Sequence, residues 1–366
     1  MKDISPLTKK FSKCVLTHPD SIFYFFDCST PGNSFVCIVC IDNTFTCILR
    51  DLEFGHYKDC PVNMNFVTYA ENNPIDLLIQ TLGIHSKDVC TIGIEIDSPR
   101  FLLSEAKQLF EHLPFVTFVD VSMTIKWMRV LKNEDEIHKM TIACSHVLSA
   151  LEYAKSKIYL GITETEYAGI LAFGKMKNGS EWTTYPDFVA FGTNGCIGHH
   201  TASPERCLAQ DEIIFVELSA ACQRYHASKM HTFYTGDPPS WFRCLKARIL
   251  MALSEAKSIA KPGVRCQDVD AKMRAIINAD DPDEELPKFS MMRRSGYTIG
   301  IGTCVDWTEG IIRMTPTSED VLKENMVLHL IPWIHIEKKG AMGFSDMVVV
   351  TSQGLQSMFD ENCTLV

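Results

Sequence analysis

The sequence predicts an α+β protein in which a smaller N-terminal α/β domain precedes a larger domain of two similar halves. Three observations predict this fold class. Strand-like and helix-like segments alternate as far as about residue 130, a capped helix begins at Asn133, and the segment Leu148–Ile162 recurs as Leu250–Val264. The 366 residues correspond to about 2.4 domains of average length. We therefore expect two unequal domains, at residues 1–130 and 131–366.

The elements of the N-terminal domain follow from local patterns. Ser34–Ile41 and Thr44–Arg50 are rich in β-forming residues, and the Asp-Asn pair between them favours a hairpin turn. Asn73 can cap a helix whose first turn holds Pro74, and this helix extends to Leu82. The other predicted elements are two strands, Cys90–Ile96 and Val116–Val121, and the helix Leu102–Leu113.

The second domain contains an internal repeat. Its first helix begins at Asn133, and Glu136 completes a capping box three residues later. At an offset of 102 residues, seven of fifteen positions of Leu148–Ile162 and Leu250–Val264 are identical, where about one is expected by chance. Each copy predicts a long helix, a glycine turn and a second helix, which in the first copy starts with the capping box Thr163–Glu166. A duplication, rather than two unrelated helical hairpins, predicts a pseudo-two-fold domain with a ligand cleft between its halves.

Composition and charge exclude several classes of protein. Apolar residues make up 46% and charged residues 22% of the chain, unlike disordered chains, collagens or coiled coils. The net charge of −10 argues against a nucleic-acid surface. The longest apolar stretch of the N-terminal half, Phe35–Ile41, is far shorter than the roughly 20 residues of a membrane span, and no signal segment is evident. We expect a cytoplasmic protein that binds neither membranes nor nucleic acid.

The cysteine pattern predicts packing residues in a reducing compartment. The chain has 15 cysteines, an odd number without the context of a secreted disulfide framework. One C-x-x-C motif joins Cys37 and Cys40, but it lies in a predicted strand, where a separation of three residues directs the thiols to opposite faces. We therefore interpret these cysteines as small buried hydrophobic residues rather than a redox or metal motif.

The strand pair that carries Glu217 and Ser228 resembles a known protein family. Glu217 lies on the predicted strand Ile213–Leu218, and Ser228 follows eleven residues later within Tyr225–Phe233. With the duplicated halves, this pattern resembles the creatinase/aminopeptidase P/methionine aminopeptidase superfamily, whose C-terminal domain has the pseudo-two-fold pita-bread fold. The resemblance covers nearly the whole chain and is strongest over residues 133–355. It implies that fold, a creatinase-like N-terminal domain and a homodimer.

Metallopeptidases of this superfamily hold two divalent ions with four carboxylates and one histidine. The resemblance places these ligands at Glu217, Ser228, Tyr297, Ile331 and Asp346. Only two carboxylates are retained and the histidine is replaced, whereas a two-metal centre needs several negative oxygen ligands. We therefore predict no metal and no other cofactor. A single ion on Glu217, Asp346 and a nearby histidine is the alternative.

The replacements themselves resemble a branch of the superfamily that includes ectoine-hydrolase-like and Xaa-Pro peptidase-like proteins. Such members, like creatinase, cleave C–N bonds without the peptidase metals, so the resemblance implies a metal-independent hydrolase acting on an amidine, guanidine or amide carbon. The sequence departs from the branch at Ser228, His231 and Asp346, so ectoine itself is not the expected substrate. The second resemblance is carried by Glu217, Tyr225-His226, Arg294, Gly296-Tyr297, Ile299–Gly302, Asp306-Trp307, Glu309, His329 and Pro332.

We assign catalytic roles to four residues. His199 matches the family position that contacts substrate, and an imidazole can give and take a proton at neutral pH. Glu217 is expected to act as a general base or to bind a cationic group, with Asp346 on an adjacent strand of the same cleft. Tyr297 is expected to donate a hydrogen bond to a substrate oxygen. The structural alternatives are an exposed loop histidine, a carboxylate satisfied by backbone donors and an aromatic wall.

Substrate-binding roles are assigned to five further residues. They are His226, Ser228, His231, Trp307 and His329. Trp307 is interpreted as a lid or a loop anchor, and for the histidines a core position bonded to backbone is the alternative. Acidic and aromatic residues together suit a small cationic substrate, although Asp306 and Glu309 are also compatible with a solvated loop.

The residues leave more than one function open. The same acid–base set could drive elimination or ring closure in place of hydrolysis. A catalytically inactive binding protein on a peptidase fold, and a residual Xaa-Pro aminopeptidase, are further alternatives. Convergent polar residues favour an enzyme, since a scaffold does not need them.

Overall fold

The computed structural model describes residues 2–279, 286–291, 294–303 and 306–359. Its contacts divide the chain into a first unit, Met1–Arg129 with Ile301–Asp306, and a second unit, Val130–Gly300 with Trp307–Val366. The short segment Ile301–Asp306 therefore belongs to the first unit, which the sequence did not indicate. Within the described ranges, no helix is both long and apolar enough to cross a membrane.

The first unit is built around a six-stranded mixed sheet in the order β4-β3-β2-β1-β5-β6. Strands β2 and β3 form the predicted hairpin, and its turn residues Asp42 and Asn43 both have positive φ, 47° and 64°, as a tight hairpin turn requires. The Asn73 side chain accepts a hydrogen bond from the Ile75 amide and caps α3 as predicted. The elements are α1 Ser5–Thr8, β1 Lys13–Leu16, α2 Pro19–Phe26, β2 Cys37–Ile41, β3 Thr44–Arg50, β4 Asn65–Tyr69, α3 Pro74–Leu82, β5 Thr91–Ile94, α4 Leu103–His112, β6 Thr117–Asp120 and α5 Ser122–Val130.

This sheet separates two apolar cores. Cys40 packs in one core with Phe26 and Phe45, whereas Cys37 packs in the other with Ile75 and others. The two thiols of the C-x-x-C motif thus face opposite sides of β2, as the strand period predicts. Every cysteine that the structure describes is a free thiol.

In its described residues, the second unit has four α-helices, which form two pairs, and three sheets. Helix α6 packs on α7, and α8 packs on α9. The sheets have the orders β7-β8-β9, β10-β14-β15 and β12-β11-β13-β16-β17. The elements are α6 Glu134–Lys155, α7 Glu164–Lys177, β7 Phe188–Phe191, β8 Ile213–Cys222, β9 Tyr225–Tyr234, α8 Ser240–Ile259, α9 Cys266–Ile277, β10 Phe289–Met291, β11 Gly296–Ile299, β12 Thr308–Met314, β13 Val327–Leu330, β14 Trp333–Ile336, β15 Gly340–Gly343, β16 Asp346–Thr351 and β17 Gly354–Ser357.

The helix pairs α6–α7 and α8–α9 have the same glycine turn, and in each pair that turn forms the same kind of backbone hydrogen bond. Gly161 and Gly263 occupy equivalent positions with φ of 91° and 94°, a conformation that favours glycine. The Gly161 amide donates to the carbonyl of Leu208, and the Gly263 amide donates to that of Leu322, both at 2.9 Å. We call each such contact between a helix-pair turn and a downstream segment a strap. The two glycines lie at the 102-residue offset and each strap joins the same kind of turn to a downstream leucine carbonyl, so the sequence repeat is also a structural repeat.

The helix starts follow the predicted caps with one difference. Asn133 and Glu136 form the complete capping box, with the Asn133 side chain accepting from the Glu136 amide and the Glu136 carboxylate accepting from the Asn133 amide. Thr163 accepts from the Glu166 amide, but the Glu166 carboxylate binds the Tyr159 hydroxyl instead of completing a box. Only one of the two hydrogen bonds of a capping box forms at the start of α7, because the exposed Glu166 carboxylate accepts from the Tyr159 hydroxyl instead of from the Thr163 amide.

Candidate active site

The predicted site residues of β8 and β9 lie on two different faces of this hairpin. In this antiparallel register Glu217 lies opposite Met230, Ser219 opposite Ser228, and Ala221 opposite His226. Side chains of directly opposed residues project from the same face of a sheet. Glu217, Ser228 and His226 therefore share one face, as expected for parts of one site.

His199 lies next to that face on a short loop. Its φ is 55°, and its exposed imidazole stacks on Phe188 with ring centroids 5.1 Å apart and on Tyr185 at 6.0 Å. Phe188 lies directly opposite Glu217 in the pairing of β7 with β8. One aromatic ring therefore neighbours both the predicted proton shuttle and the predicted carboxylate.

A buried carboxylate at the start of α7 holds the His199 loop. Glu164 accepts hydrogen bonds from the amides of Phe191 and Ser203, at 2.8 and 2.9 Å, and from the Asn194 side chain at 3.0 Å. The ring of His200 lies 2.7 Å from the same carboxylate. Burial alone raises the pKa of Glu164, but these hydrogen bonds together hold it below its ordinary value. His200 thus anchors the loop while its neighbour faces the site.

Tyr297 heads a chain of buried hydrogen bonds across β11, β13 and the start of β16. Its hydroxyl lies 2.9 Å from Nδ1 of His329, and Nε2 of His329 lies 2.8 Å from the Ser345 hydroxyl. The indole N–H of Trp307 donates to the Tyr297 hydroxyl at 3.0 Å, and the Met230 amide donates to the Ser345 hydroxyl at 2.7 Å. All five groups are buried.

The electrostatics of this chain favour an uncharged imidazole. Burial, and to a lesser degree the positive charges of Lys229 and Arg294, lower the pKa of His329 to about 3. The Arg294 guanidinium lies 4.2 Å from the centre of the Tyr297 ring. His329 is therefore neutral at physiological pH, with one ring nitrogen as a donor and the other as an acceptor.

Trp307 joins this chain to the His199 side of the site. Its indole meets Tyr185 edge-on with centroids 4.9 Å apart and stacks loosely on His226 at 6.0 Å. Since Tyr185 also stacks on His199, aromatic contacts run from Phe188 to Trp307. The side chain is buried, which excludes the loop-surface role considered for Trp307.

The structure does not bring His231 to the site. It lies opposite Val216 on the other face of the β8–β9 hairpin. Its ring packs on Phe233 and Phe344, with centroids 4.5 and 5.2 Å away. Burial, followed by nearby lysines, lowers its pKa to about 3. The assignment of His231 to substrate binding is therefore corrected: the alternation of side chains along β9 makes it a core histidine.

Asp346 is likewise directed away from the cluster. Its carboxylate accepts hydrogen bonds from Lys257 at 2.9 Å and Ser357 at 2.7 Å. It lies on β16, in a different sheet from Glu217, so the expected placement on adjacent strands is wrong. The preceding residue, Ser345, reaches the cluster instead. A shift of one residue reverses the face to which a strand side chain points.

Glu309 also differs from its expected environment. Rather than lying in a solvated loop, it is buried and forms an ion pair with Lys132, with Nζ 2.6 Å from Oε2. A Cβ placed on Gly300 would lie 2.7 Å from the Glu309 carboxylate, so this pair packs directly against the glycine-rich strand end. Glu309 therefore supports the local fold and is not available to bind a substrate cation.

Several residues of the site were not found from the sequence. Tyr185 and Phe188 precede the His199 loop in the chain, and their aromatic character alone did not distinguish them from core residues. The buried N-terminal carboxylate of α7, Glu164, was recognisable only as part of a cap. Ser345 gave no signal, since it acts through a contact with a residue 16 positions earlier.

The residues at the five metal-ligand positions do not fit a two-metal centre. Ile331 has no donor atom, the Ser228 hydroxyl donates to the Leu218 carbonyl, and Tyr297 is engaged by His329 and Trp307. Asp346 is paired with Lys257. Glu217 is then the one carboxylate of the expected set on the site face, and several anionic oxygens are needed for two divalent ions.

Comparison with known families gives two matches that together span most of the chain. Residues 138–352 match the family described as metallopeptidase family M24. Residues 8–131 match the creatinase/prolidase N-terminal domain. The predicted superfamily resemblance is thereby confirmed.

Among curated proteins, the chain is similar to an ectoine hydrolase of Halomonas elongata. The two are 26% identical over 335 residues, which cover 86% of this chain and 78% of that protein. An uncharacterized peptidase of Staphylococcus aureus is 24% identical over 93% of this chain and 92% of its own length.

Solved structures confirm the predicted fold class. The prolidase from Pyrococcus horikoshii superposes with a TM-score of 0.83 at 22% identity, covering 98% of this chain and 96% of that one. The X-Pro aminopeptidase from Thermotoga maritima superposes with a TM-score of 0.80 at 23% identity, covering 96% of each chain.

Proposed function

The chain belongs to metallopeptidase family M24, and from that membership we propose that it is a hydrolase that cleaves a C–N bond of a small substrate without a bound metal. Amidine, guanidine and amide carbons are the candidate reaction centres. The H. elongata relative, named as an ectoine hydrolase, supports C–N hydrolysis on this fold. The prolidase and X-Pro aminopeptidase structures support the fold alone.

One observation carries the proposal. At the position where the family resemblance places the histidine ligand, this chain has Tyr297, whose buried hydroxyl contacts both His329 and Trp307. Metal-bound water would be the nucleophile of a peptidase, so protein groups must activate water and polarise the substrate here.

His199 and Glu217 are the proposed acid–base pair. Glu217 takes a proton as water attacks the carbon, which forms the new C–O bond and moves the electron pair of the double bond onto its heteroatom. The heteroatom's electron pair then re-forms the double bond as the C–N bond breaks, and His199 donates a proton to the departing nitrogen. The proton held by Glu217 finally passes to His199. Both residues neighbour Phe188, which supports their acting on one substrate.

A small cation is the proposed substrate class. Tyr185, Phe188 and Trp307 present aromatic rings near His199, and Glu217 supplies a carboxylate on the same side of the sheet. Aromatic faces and one carboxylate attract guanidinium, amidinium and quaternary ammonium groups. Ser228 offers a hydroxyl where a nucleophilic carboxylate would be needed, so direct attack by water is proposed rather than a covalent intermediate.

The test combines substrate profiling with metal analysis. Purified protein is incubated with cyclic amidines, guanidino acids, N-acyl amines and Xaa-Pro dipeptides, with and without a chelator, and products are identified by mass spectrometry. We expect turnover of a cationic non-peptide substrate that the chelator does not reduce. His199→Ala and Glu217→Gln should each lower kcat by about 100-fold or more, whereas His231→Phe, on the opposite face, should retain activity.

Three results would contradict the proposal. Two equivalents of manganese, zinc or cobalt per chain together with Xaa-Pro cleavage would identify a metallopeptidase. Products that contain no added water would instead identify an elimination or cyclisation by the same acid–base pair. Tight ligand binding without turnover would identify a binding protein.

A further inference from the structure

We propose that Lys175 is a positioning residue of the site, which holds the ring of Tyr185 in place beside His199. The inference rests on the proposed hydrolytic function, in which His199 is the acid. It goes further because it explains how the aromatic side of the site keeps its geometry, and because it gives a role to a buried lysine in the last turn of α7.

The three N–H donors of the Lys175 ammonium group all have acceptors. Its Nζ lies 2.6 Å from Oδ1 of Asp187, 3.2 Å from the Thr183 hydroxyl and 3.1 Å from the Ser219 carbonyl. An ammonium group has three donors and no acceptor. The three contacts therefore satisfy this buried cation, and the lysine is the donor in each of them.

The acceptors lie on both sides of Tyr185 in the chain and on the strand that carries Glu217. Thr183 precedes Tyr185 by two residues, and Asp187 follows it by two, just before β7 begins. Ser219 is two residues after Glu217 on β8. One cation therefore joins the Tyr185 segment to the strand of the proposed base.

The Thr183 hydroxyl links Lys175 to the backbone of Tyr185. It accepts from Lys175 and donates to the Tyr185 carbonyl at 2.9 Å. The direction is fixed at both ends, because an ammonium group only donates and a carbonyl only accepts. Lys175 thus holds the Tyr185 segment through Thr183 on one side and through Asp187 on the other.

Tyr185 is the ring that contacts both His199 and Trp307. It stacks on His199 with an interplanar angle of 27°, and it meets Trp307 edge-on at 86°. His199 is exposed and lies on a loop, so the orientation of its imidazole depends on the rings against which it packs. That orientation matters for an acid, since a displacement of about 1 Å can cost 100-fold in rate.

Helix α7 holds this aromatic stack from both of its ends. Glu164, its first residue, accepts hydrogen bonds from the loop that carries His199. Lys175, about 16 Å further along the helix axis, binds the segment that carries Tyr185. The two partners of the stack are therefore set by one rigid element, and loss of the Lys175 contacts should loosen it.

Ring-current shifts provide a test that needs no substrate. Full-length protein labelled with ¹³C at histidine Cε1 is examined by ¹H–¹³C correlation at a pH well above 6.5, where an ordinary imidazole is neutral. The His199 signal is assigned by its loss in His199→Ala. In Thr183→Val, which keeps the ion pair of Lys175 with Asp187 but removes the link to Tyr185, this signal should move towards that of an unstacked histidine.

Thr184→Val is the matched control for Thr183→Val. Among the residues that the structure describes, the buried Thr184 hydroxyl has no hydrogen-bond partner, so valine removes no such contact there. The His199 signal should be unchanged in this variant. An unchanged signal in Thr183→Val, or an equal shift in both variants, would overturn the positioning role.

Lys175→Met tests the lysine itself. It removes all three contacts, so we expect a larger shift of the His199 signal than in Thr183→Val. Lys177→Met, in the same last turn of α7 but exposed, should leave the signal unchanged. An unchanged signal in Lys175→Met would contradict the proposal, and the comparison of Thr183→Val with Thr184→Val decides if Lys175→Met does not fold.

Kinetics separate this inference from the proposed function. With a substrate in hand, Thr183→Val should lower kcat by about tenfold with little change in KM, whereas Thr184→Val should change neither. Thr183→Val should add no further loss in a Tyr185→Ala background, because it acts through that ring. Additive effects would overturn the positioning role while leaving metal-independent hydrolysis intact. Chelator-sensitive turnover would overturn the proposed function while leaving the ring-current result intact.

Discussion

Two buried histidines, His231 and His329, and the half-buried His18 couple the stability of this protein to acid pH. Burial is the main cause that lowers the pKa of His18 to about 4 and that of His231 and His329 to about 3. Because these values lie below the ordinary 6.5, the unfolded chain binds protons that the folded chain does not as pH falls below that value. Their stabilising contribution is therefore complete above pH 6.5 and is lost towards pH 3, by up to about 1.4 kcal/mol per pH unit for each histidine.

His231→Phe should reduce this acid sensitivity. His231 lies off the site face and packs on aromatic rings, so phenylalanine is expected to fit there. Urea unfolding at several pH values between 4.5 and 7.5 measures the slope of stability against pH. The slope below pH 6.5 should be smaller than in the unmodified protein by up to about 1.4 kcal/mol per unit. An unchanged slope would show that His231 titrates normally.

The buried Glu95 carboxyl makes the protein less stable as pH rises, which is opposite to the effect of the histidines. Burial raises the pKa of its carboxyl to about 7, against hydrogen bonds from Ser21, His18 and Thr17 that lower it. The folded chain then retains a proton that the unfolded chain has released, so this contribution is lost as pH rises through 7. Glu95→Gln should therefore flatten the decline of stability between pH 5 and 8, measured by the same unfolding assay.

At the level of single residues, sequence reasoning found the residue types better than their orientation. His199, Glu217, Tyr297, Trp307, His226 and His329 lie in one connected region, because motif spacing fixes which strands they occupy. His231 and Asp346 were placed wrongly, since a shift of one residue along a strand exchanges its two faces. Ser345 could not be inferred, because its partner comes from a neighbouring strand.

Helix α7 holds the loop that carries His199 through its first residue, Glu164. Glu164 is fully buried and accepts hydrogen bonds from four groups of the loop, including the ring of His200. Glu164→Gln should destabilise the protein by about 2–3 kcal/mol, because an amide cannot accept all of these bonds. Urea unfolding provides the measurement. Glu166→Gln, in the same turn but exposed, is the control and should stay within about 0.5 kcal/mol. Equal effects of both changes would refute a special role for Glu164.

The repeated glycine turns predict equal costs in the two helix pairs. Gly161 and Gly263 have positive φ, and an added Cβ would meet no atom within 4 Å at either site. Alanine at either position should therefore destabilise by about 1 kcal/mol through backbone strain alone. Gly169→Ala, within α7 and equally uncrowded, should instead stabilise by roughly 0.5–1 kcal/mol. Differential scanning calorimetry of the three variants checks both signs.

Element boundaries could be predicted where a local signal marks them. The hairpin at Asp42-Asn43 and the caps at Asn73 and Asn133 are such signals, and the structure has all three. Strand β8 extends to Cys222, beyond the predicted Leu218, because pairing with β9 continues to the turn. The end of such a strand depends on its partner strand and cannot be predicted from the local residue pattern.

At the scale of the whole molecule, the duplication was visible in the sequence because seven identities recur at a fixed offset. The assignment of Ile301–Asp306 to the first unit was not visible, since it depends on contacts such as those of Thr303 with Asp20, 283 positions away. Long-range contacts between unlike segments leave no periodicity for a single sequence to show.

Because each strap lies within one repeat, we expect the two repeats to assemble without a covalent connection between them. Each strap joins its helix pair to a segment of its own half, Leu208 for Gly161 and Leu322 for Gly263, so neither crosses the connection from β9 to α8. Asp237 in that connection is exposed. Fragments 1–237 and 238–366, co-expressed with an affinity tag on one of them, should therefore purify as a complex, whereas a break inside α8 should not give one. The fold would then serve as a split reporter whose two parts assemble on demand.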